Sequence, residues 1–259
     1  MKKTRITAAF ERLGSAQKKA FIPYIMAGDV SLQRTQELVL FLEQHGADIV
    51  ELGVPFSDPL ADGPTIQRAA ERALLNHVTL SGVIAAVKSL RTRTQIPIVL
   101  MTYFNPVYKL GLARFIDDAT AAGVDGVIIP DLPPDEETDF IRSCADNALD
   151  TIFLLAPTST QDRIELTAQA SRGFIYYVSI TGITGSKISV DADMLAMIRR
   201  IKELSAKPVA VGFGVKTPQE AHEVADLADG VIVGSSIVNT IHKDEGALGP
   251  YIKALRDAI

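Results

Sequence analysis

The chain has 259 residues, 47% hydrophobic and 22% charged, with a formal net charge of −5. Such a composition belongs to a globular protein able to bury a large core. The mildly acidic balance and the lack of a basic stripe argue against nucleic acid as a partner. The single cysteine, Cys144, excludes an internal disulfide and a cysteine-rich zinc site.

No apolar run follows Lys2-Lys3, so no signal peptide is expected. No stretch approaches the ~18 apolar residues of a spanning helix, so no membrane partner is expected and the cytoplasm is the expected location. Short apolar runs then recur along the chain. They are Phe21–Met26, Asp48–Leu52, Pro97–Met101, Gly126–Ile129, Thr151–Leu155, Phe174–Val178, Pro208–Val211 and Gly230–Val233. Each is short, β-branched or aromatic, and closed by turn residues, the pattern of buried parallel strands.

Amphipathic stretches separate the runs. Thr35–His45 carries Leu38, Val39, Phe41 and Leu42 on one face, and Phe115–Ala122 and Ala192–Leu204 are similar. Gly46 and Gly123 stand where left-handed helix caps belong. Cys144 sits in a helical context as a small buried hydrophobe. The tail from Asp244 to Ile259 is expected to be a closing helix. Eight strands alternating with helices in a chain near the roughly 250 residues of a plain barrel predict one α/β domain over residues 1–259. The expected fold is a single (β/α)8 TIM barrel with an extra N-terminal helix and a long loop after strand 2. An open doubly wound sheet is the competing fold, and periodicity alone does not separate the two.

Strand two carries the first candidate for chemistry. Period-two alternation puts Ile49 and Glu51 on one face and Val50 and Leu52 on the other. Val50 and Leu52 suit the helix-facing side, so Glu51 points into the barrel near its C-terminal mouth. A buried carboxylate that lacks a cationic partner should have a raised pKa, which suits proton transfer near neutrality. An interior Lys or Arg would make Glu51 structural instead, and no strand core supplies one.

The long segment after strand two, Gly53 to Val78, holds Asp58 and Asp62 among prolines and glycines. Either could be a turn or cap aspartate, and the residues alone leave Asp62 undecided. A magnesium site built on both lacks an obvious third ligand. Asp131 follows strand four, where shaping the turn and a functional role are equally open. Small-residue loops follow the last three strands: Thr181–Ser186, Gly212-Phe213-Gly214 and Gly234-Ser235-Ser236. They could hold a phosphate on backbone amides or could be plain tight turns. None has the spacing of a dinucleotide fingerprint.

His45, His77, His222 and His242 all fall in or beside helices, which argues against a serine or cysteine triad. No strand carries a lysine for a Schiff base. Cofactor-free acid–base chemistry on a phosphorylated substrate is what remains.

The run Glu51-Leu52-Gly53-Val54-Pro55-Phe56-Ser57-Asp58-Pro59-Leu60-Ala61-Asp62-Gly63-Pro64-Thr65-Ile66-Gln67 closely resembles the signature of tryptophan synthase alpha subunits. Gly182-Ile183-Thr184-Gly185, Gly212-Phe213-Gly214 and Gly234-Ser235 support the resemblance, which covers the whole chain. It implies a (β/α)8 barrel that cleaves indole-3-glycerol phosphate to indole and glyceraldehyde 3-phosphate. It also implies a beta subunit, in an alpha2-beta2 complex, that receives the indole. No cofactor is implied in this chain, PLP belonging to that partner.

Carried over by position, Glu51 matches the general acid/base and Asp62 the carboxylate that holds the indole N–H. Tyr24, Tyr103, Asp131, Tyr176 and Thr184 match substrate-binding positions. Gly185, Phe213, Gly214, Gly234 and Ser235 match a phosphate cradle. Tyr24 stands where many relatives carry Phe, and Ser179–Gly182 departs from an Arg-containing version of that loop. The loop with Pro55 and Asp58 and the one near 182–187 are implied to lie at the subunit interface and to be mobile without partner or ligand. A stand-alone lyase of the same chemistry, or a non-catalytic barrel regulating a partner, are the alternatives.

Overall fold

The computed structural model describes residues 3–178, 192–212 and 214–259. Its strands are β1 (Ala20–Met26), β2 (Val50–Gly53), β3 (Ile98–Met101), β4 (Gly126–Ile128), β5 (Asp150–Ile152), β6 (Leu154–Leu155), β7 (Ile175–Val178), β8 (Val209–Gly212) and β9 (Gly230–Val233). All pair in parallel, in the order β5-β4-β3-β2-β1-β9-β8-β7-β6.

The two ends of that order, β5 and β6, are halves of one run interrupted only at Phe153. The ladder bridges the break, because the Tyr176 N–H donates to the Phe153 carbonyl (3.1 Å) and the Arg172 N–H to the Thr151 carbonyl (2.8 Å). The sheet therefore closes on itself into the expected eight-run barrel, and the open sheet is excluded.

The helices are α1 (Arg5–Ser15), α2 (Leu32–Gln44), α3 (Pro64–Leu75), α4 (Leu80–Leu90), α5 (Phe104–Leu110), α6 (Leu112–Ala122), α7 (Thr138–Asp146), α8 (Gln161–Ala170), α9 (Ala192–Leu204), α10 (Pro218–Ala225), α11 (Ser235–Lys243) and α12 (Leu248–Ala258). Two of them, α3 and α5, were not anticipated by the apolar periodicity. Pro64 opens α3 at a position where its missing N–H costs nothing. The long loop after β2 is thus confined to residues 54–63. The closing helix begins at Leu248 rather than Asp244, behind a short 3-10 turn at Glu245–Ala247. Gly46 and Gly123 have φ of 96° and 84°, in keeping with their expected capping role. Cys144 is fully buried in α7. Among the described residues, no single helix is long and apolar enough to cross a membrane.

Two apolar layers follow from strand alternation. Outward residues such as Val50, Leu52, Leu100 and Val231 pack against the surrounding helices. Inward residues Ile22, Ile49, Val99, Ile128, Ile152, Ala210 and Ile232 fill the barrel, joined by Ile6, Phe10 and Leu13 of α1. The helix α1 is a plug across the N-terminal ends of the strands. Thr4 caps it and also donates to the Asp150 carboxylate (2.6 Å) at the start of β5. That closure leaves the C-terminal mouth as the open end.

Asp125, at the same end, ties α1 and α4 to the sheet. Its carboxylate pairs with Arg5 and Arg91, each at 2.7 Å, and accepts from the Ile98 N–H at 2.8 Å. Removing one partner of a buried ion pair strands the remaining charges. Asp125→Ala is expected to cost about 3 kcal/mol, seen as a lower urea midpoint for unfolding. An unchanged midpoint would show that this network carries no stability.

Candidate active site

Glu51 lies in β2, level with Tyr24 of β1 and Val99 of β3. Sharing an inward face with Ile49, as alternation predicts, it is only 1% exposed. Among the described residues, neither carboxylate oxygen has a hydrogen-bond partner. Burial, reinforced by the nearby Asp62 charge, pushes its pKa up to about 8. The reading of Glu51 as a structural ion-pair partner is therefore not supported by its surroundings.

Two tyrosines help to enclose the acid. The Tyr24 hydroxyl lies over Gly53 at the end of β2, where any side chain would collide with it. The Tyr176 hydroxyl lies over Gly212 at the end of β8 in the same way. Both strand-terminal glycines thus admit a ring that a β-carbon would displace. Both phenols are held well above their ordinary pKa, first by burial and then by negative charge nearby. They remain neutral hydroxyls through the physiological range.

Asp62 sits half-buried on the loop after β2. Burial raises its pKa to about 6, against a hydrogen bond from Tyr103 that lowers it. The Tyr103 hydroxyl also accepts from the Ala61 N–H (3.0 Å), and Gln67 donates to the Asp62 carbonyl (2.8 Å). A loop aspartate is thereby fixed from its own backbone and from α3.

Glu51, Asp62, Tyr24 and Tyr176 share one cavity of about 700 Å³ at the C-terminal mouth. Gly214, Gly234 and Ser235 also line it. Gly214 has φ of 90°, a conformation suited to glycine. Gly234 precedes α11 without a side-chain cap, so the first N–H groups of that helix stay available beside the cavity. Such a turn attracts an anion through its amides and the helix dipole.

Tyr103 and Asp131 do not line the cavity. Tyr103 is buried behind Asp62, and Asp131 is exposed, accepting from the Phe104 N–H (2.9 Å) at the start of α5. Asp58 lines a separate, smaller hollow with Phe56, Leu60 and Glu71, so it does not join Asp62 at one site. Thr184, Gly185 and Phe213, with the whole 182–187 segment, lie outside the described residues.

Sequence reasoning missed other lining residues. Met101 and Ile232 follow from the inward alternation of β3 and β9 and could have been found. Lys216 follows Gly214 on the loop after β8 and could have been found by position, whereas Tyr251 could not, since only the packing of α12 beside that loop brings it to the mouth.

A family model described as tryptophan synthase alpha chain matches residues 10–254. The chain belongs to the tryptophan synthase alpha chain family. A tryptophan synthase alpha chain of Geobacter sulfurreducens is 49% identical, the match covering 99% of each chain. The crystal structure of tryptophan synthase subunit alpha from Legionella pneumophila is 38% identical, covers 99% of this chain and 98% of its own, and has a TM-score of 0.92. A tryptophan synthase structure from Mycobacterium tuberculosis is 37% identical, with coverage of 100% and 99% and a TM-score of 0.93. The alpha chain family is one of lyases, and its reaction in tryptophan synthesis is the cleavage of indole-3-glycerol phosphate.

An acid whose folded pKa stands near 8 against an ordinary 4.5 keeps a proton that the unfolded chain gives up. Folding stability therefore falls as pH rises through that window. Glu51→Gln cannot ionise. Its stability relative to the parent is expected to grow between about pH 4.5 and about pH 8 and to level off above, measured by urea unfolding along the pH series. A constant difference would mean that Glu51 is not buried as a lone acid.

Proposed function

We propose that this chain splits indole-3-glycerol phosphate into indole and glyceraldehyde 3-phosphate, with Glu51 moving the protons and Asp62 holding the indole N–H. The observation that carries this reading is a buried Glu51, without a hydrogen-bond partner among the described residues and with its pKa raised to about 8, in one cavity with a more acidic Asp62. Environments that push two carboxylic acids apart assign them different tasks.

The protonated Glu51 gives its proton to C3 of the indole. The ring becomes an indolenine cation, with positive charge at N1. The Asp62 carboxylate accepts the N1–H and stabilises that charge. Glu51, now ionised, takes the proton of the hydroxyl on the side-chain carbon bonded to C3. As that oxygen forms the aldehyde carbonyl, the carbon–carbon bond breaks and its electron pair returns to the ring, restoring neutral indole. Glu51 ends protonated, as it began. The indole itself is the electron sink, so the step calls on no cofactor in this chain.

The glycine-lined side of the cavity suits the phosphate. Anchoring it there would set the reacting carbon against the carboxylates. The family's beta subunit is the proposed recipient of the indole and the partner of this chain, with any PLP held by that subunit. Tyr24 and Tyr176 are the proposed walls for the indole ring, and their neutral hydroxyls keep the cavity low in competing charge.

The experiment is indole release by the purified chain, alone and with a beta subunit. Glu51→Gln is expected to lose on the order of 10²-fold or more in turnover, with substrate binding nearly kept. Asp62→Asn is also expected to cleave slowly. Strong activation by the beta subunit is expected. Near-parental turnover in Glu51→Gln would sink the assignment, and the absence of activation would favour a stand-alone lyase.

A further inference from the structure

The cavity carries an imbalance of charge. Its lining includes two carboxylic acids, Glu51 and Asp62. The glycine-lined side offers backbone N–H groups and a helix terminus, which amount to roughly half a positive charge. A phosphate monoester brings close to two negative charges. Among the described lining residues there is one full cation, Lys216.

Lys216 is held at the rim by its backbone. Its N–H donates to the Glu220 carboxylate (2.7 Å), and its carbonyl accepts from the Tyr251 hydroxyl (2.7 Å). The same Glu220 oxygen also accepts from the Thr217 N–H (3.0 Å), so that carboxylate is engaged on the main chain as part of a capping box. The Ser236 hydroxyl donates to the carbonyl of Val215 (3.0 Å), which joins the lysine-bearing loop to the first turn of α11. Among the described residues, the Lys216 ammonium makes no ion pair. Anchored backbone, free ammonium and adjacent helix terminus are the parts of an anion site.

We propose that Lys216 is a substrate-binding residue, supplying the full positive charge that the phosphate monoester dianion meets as it settles on the first turn of α11. This rests on the reading of Gly214, Gly234 and Ser235 as the phosphate side of the cavity. The ammonium sits at an exposed rim and acts before and during binding, drawing the dianion in and holding it, without touching the reacting carbon. Removing such uniform binding raises KM and leaves kcat in place.

The test uses the full chain with its beta subunit. KM and kcat for indole-3-glycerol phosphate, and competitive inhibition by inorganic phosphate, are measured for the parent, Lys216→Gln and Lys216→Arg at low and high ionic strength. Lys216→Gln is expected to raise KM about fivefold, the scale of an exposed ion pair, and to weaken phosphate inhibition by a similar factor. Turnover is expected to hold, the difference to shrink at high salt, and Lys216→Arg to restore KM. Ser235→Pro separates the proposal from its premise, since it deletes an α11 amide at a position where proline suits the helix.

If Ser235→Pro raises KM and Lys216→Gln does not, the lysine proposal fails and the phosphate side stands. If neither variant changes KM or phosphate inhibition, both fail. A KM rise in Lys216→Gln that salt does not diminish and Arg does not rescue would show a structural role and overturn the proposal.

Discussion

A carboxylic acid in an apolar interior, with neither oxygen hydrogen-bonded, keeps its proton until solution is alkaline enough to offset the cost of burying the charge. Glu51 is held that way, with its pKa near 8. Several features of the barrel serve this condition. The helix α1 and the inward isoleucines fill the space below the acid. Gly53 and Gly212 give up their side chains so that two tyrosine rings can come close. The cavity that holds Glu51 lies at the C-terminal mouth.

The second carboxylate shows the same physics at a different setting. Asp62 is half-buried on a loop and receives a hydrogen bond from Tyr103, so its pKa stops near 6. Near neutrality the cavity therefore presents one acid and one anion. The fixing of Asp62 depends on α3 and on Tyr103 behind the wall, which ties a loop residue to the rigid sheet.

Glu51 was legible in the sequence because strand alternation and the cost of a buried charge suffice to orient it. The eight apolar runs likewise marked the strands to within a residue or two, although the break at Phe153 left no apolar signal. Asp62 was different. A loop has no periodicity to orient a side chain, so only the surrounding motif pointed to it. Asp131 follows strand four and so reads as a mouth residue, and it accepts from the Phe104 N–H at the start of α5, whereas Tyr103 was named only by the resemblance, and its hydroxyl meets the Asp62 loop. Tyr251 was hidden because its place at the cavity depends on tertiary packing between segments far apart in the chain.

The central claim is that one protonated and one ionised carboxylic acid must coexist in the cavity. The most direct measurement is the pH dependence of kcat/KM for indole-3-glycerol phosphate cleavage. A bell is expected, rising near pH 6 as Asp62 ionises and falling near pH 8 as Glu51 loses its proton. A rate that stays level or climbs through the alkaline limb would show that the reaction does not need a protonated Glu51, and would contradict the account.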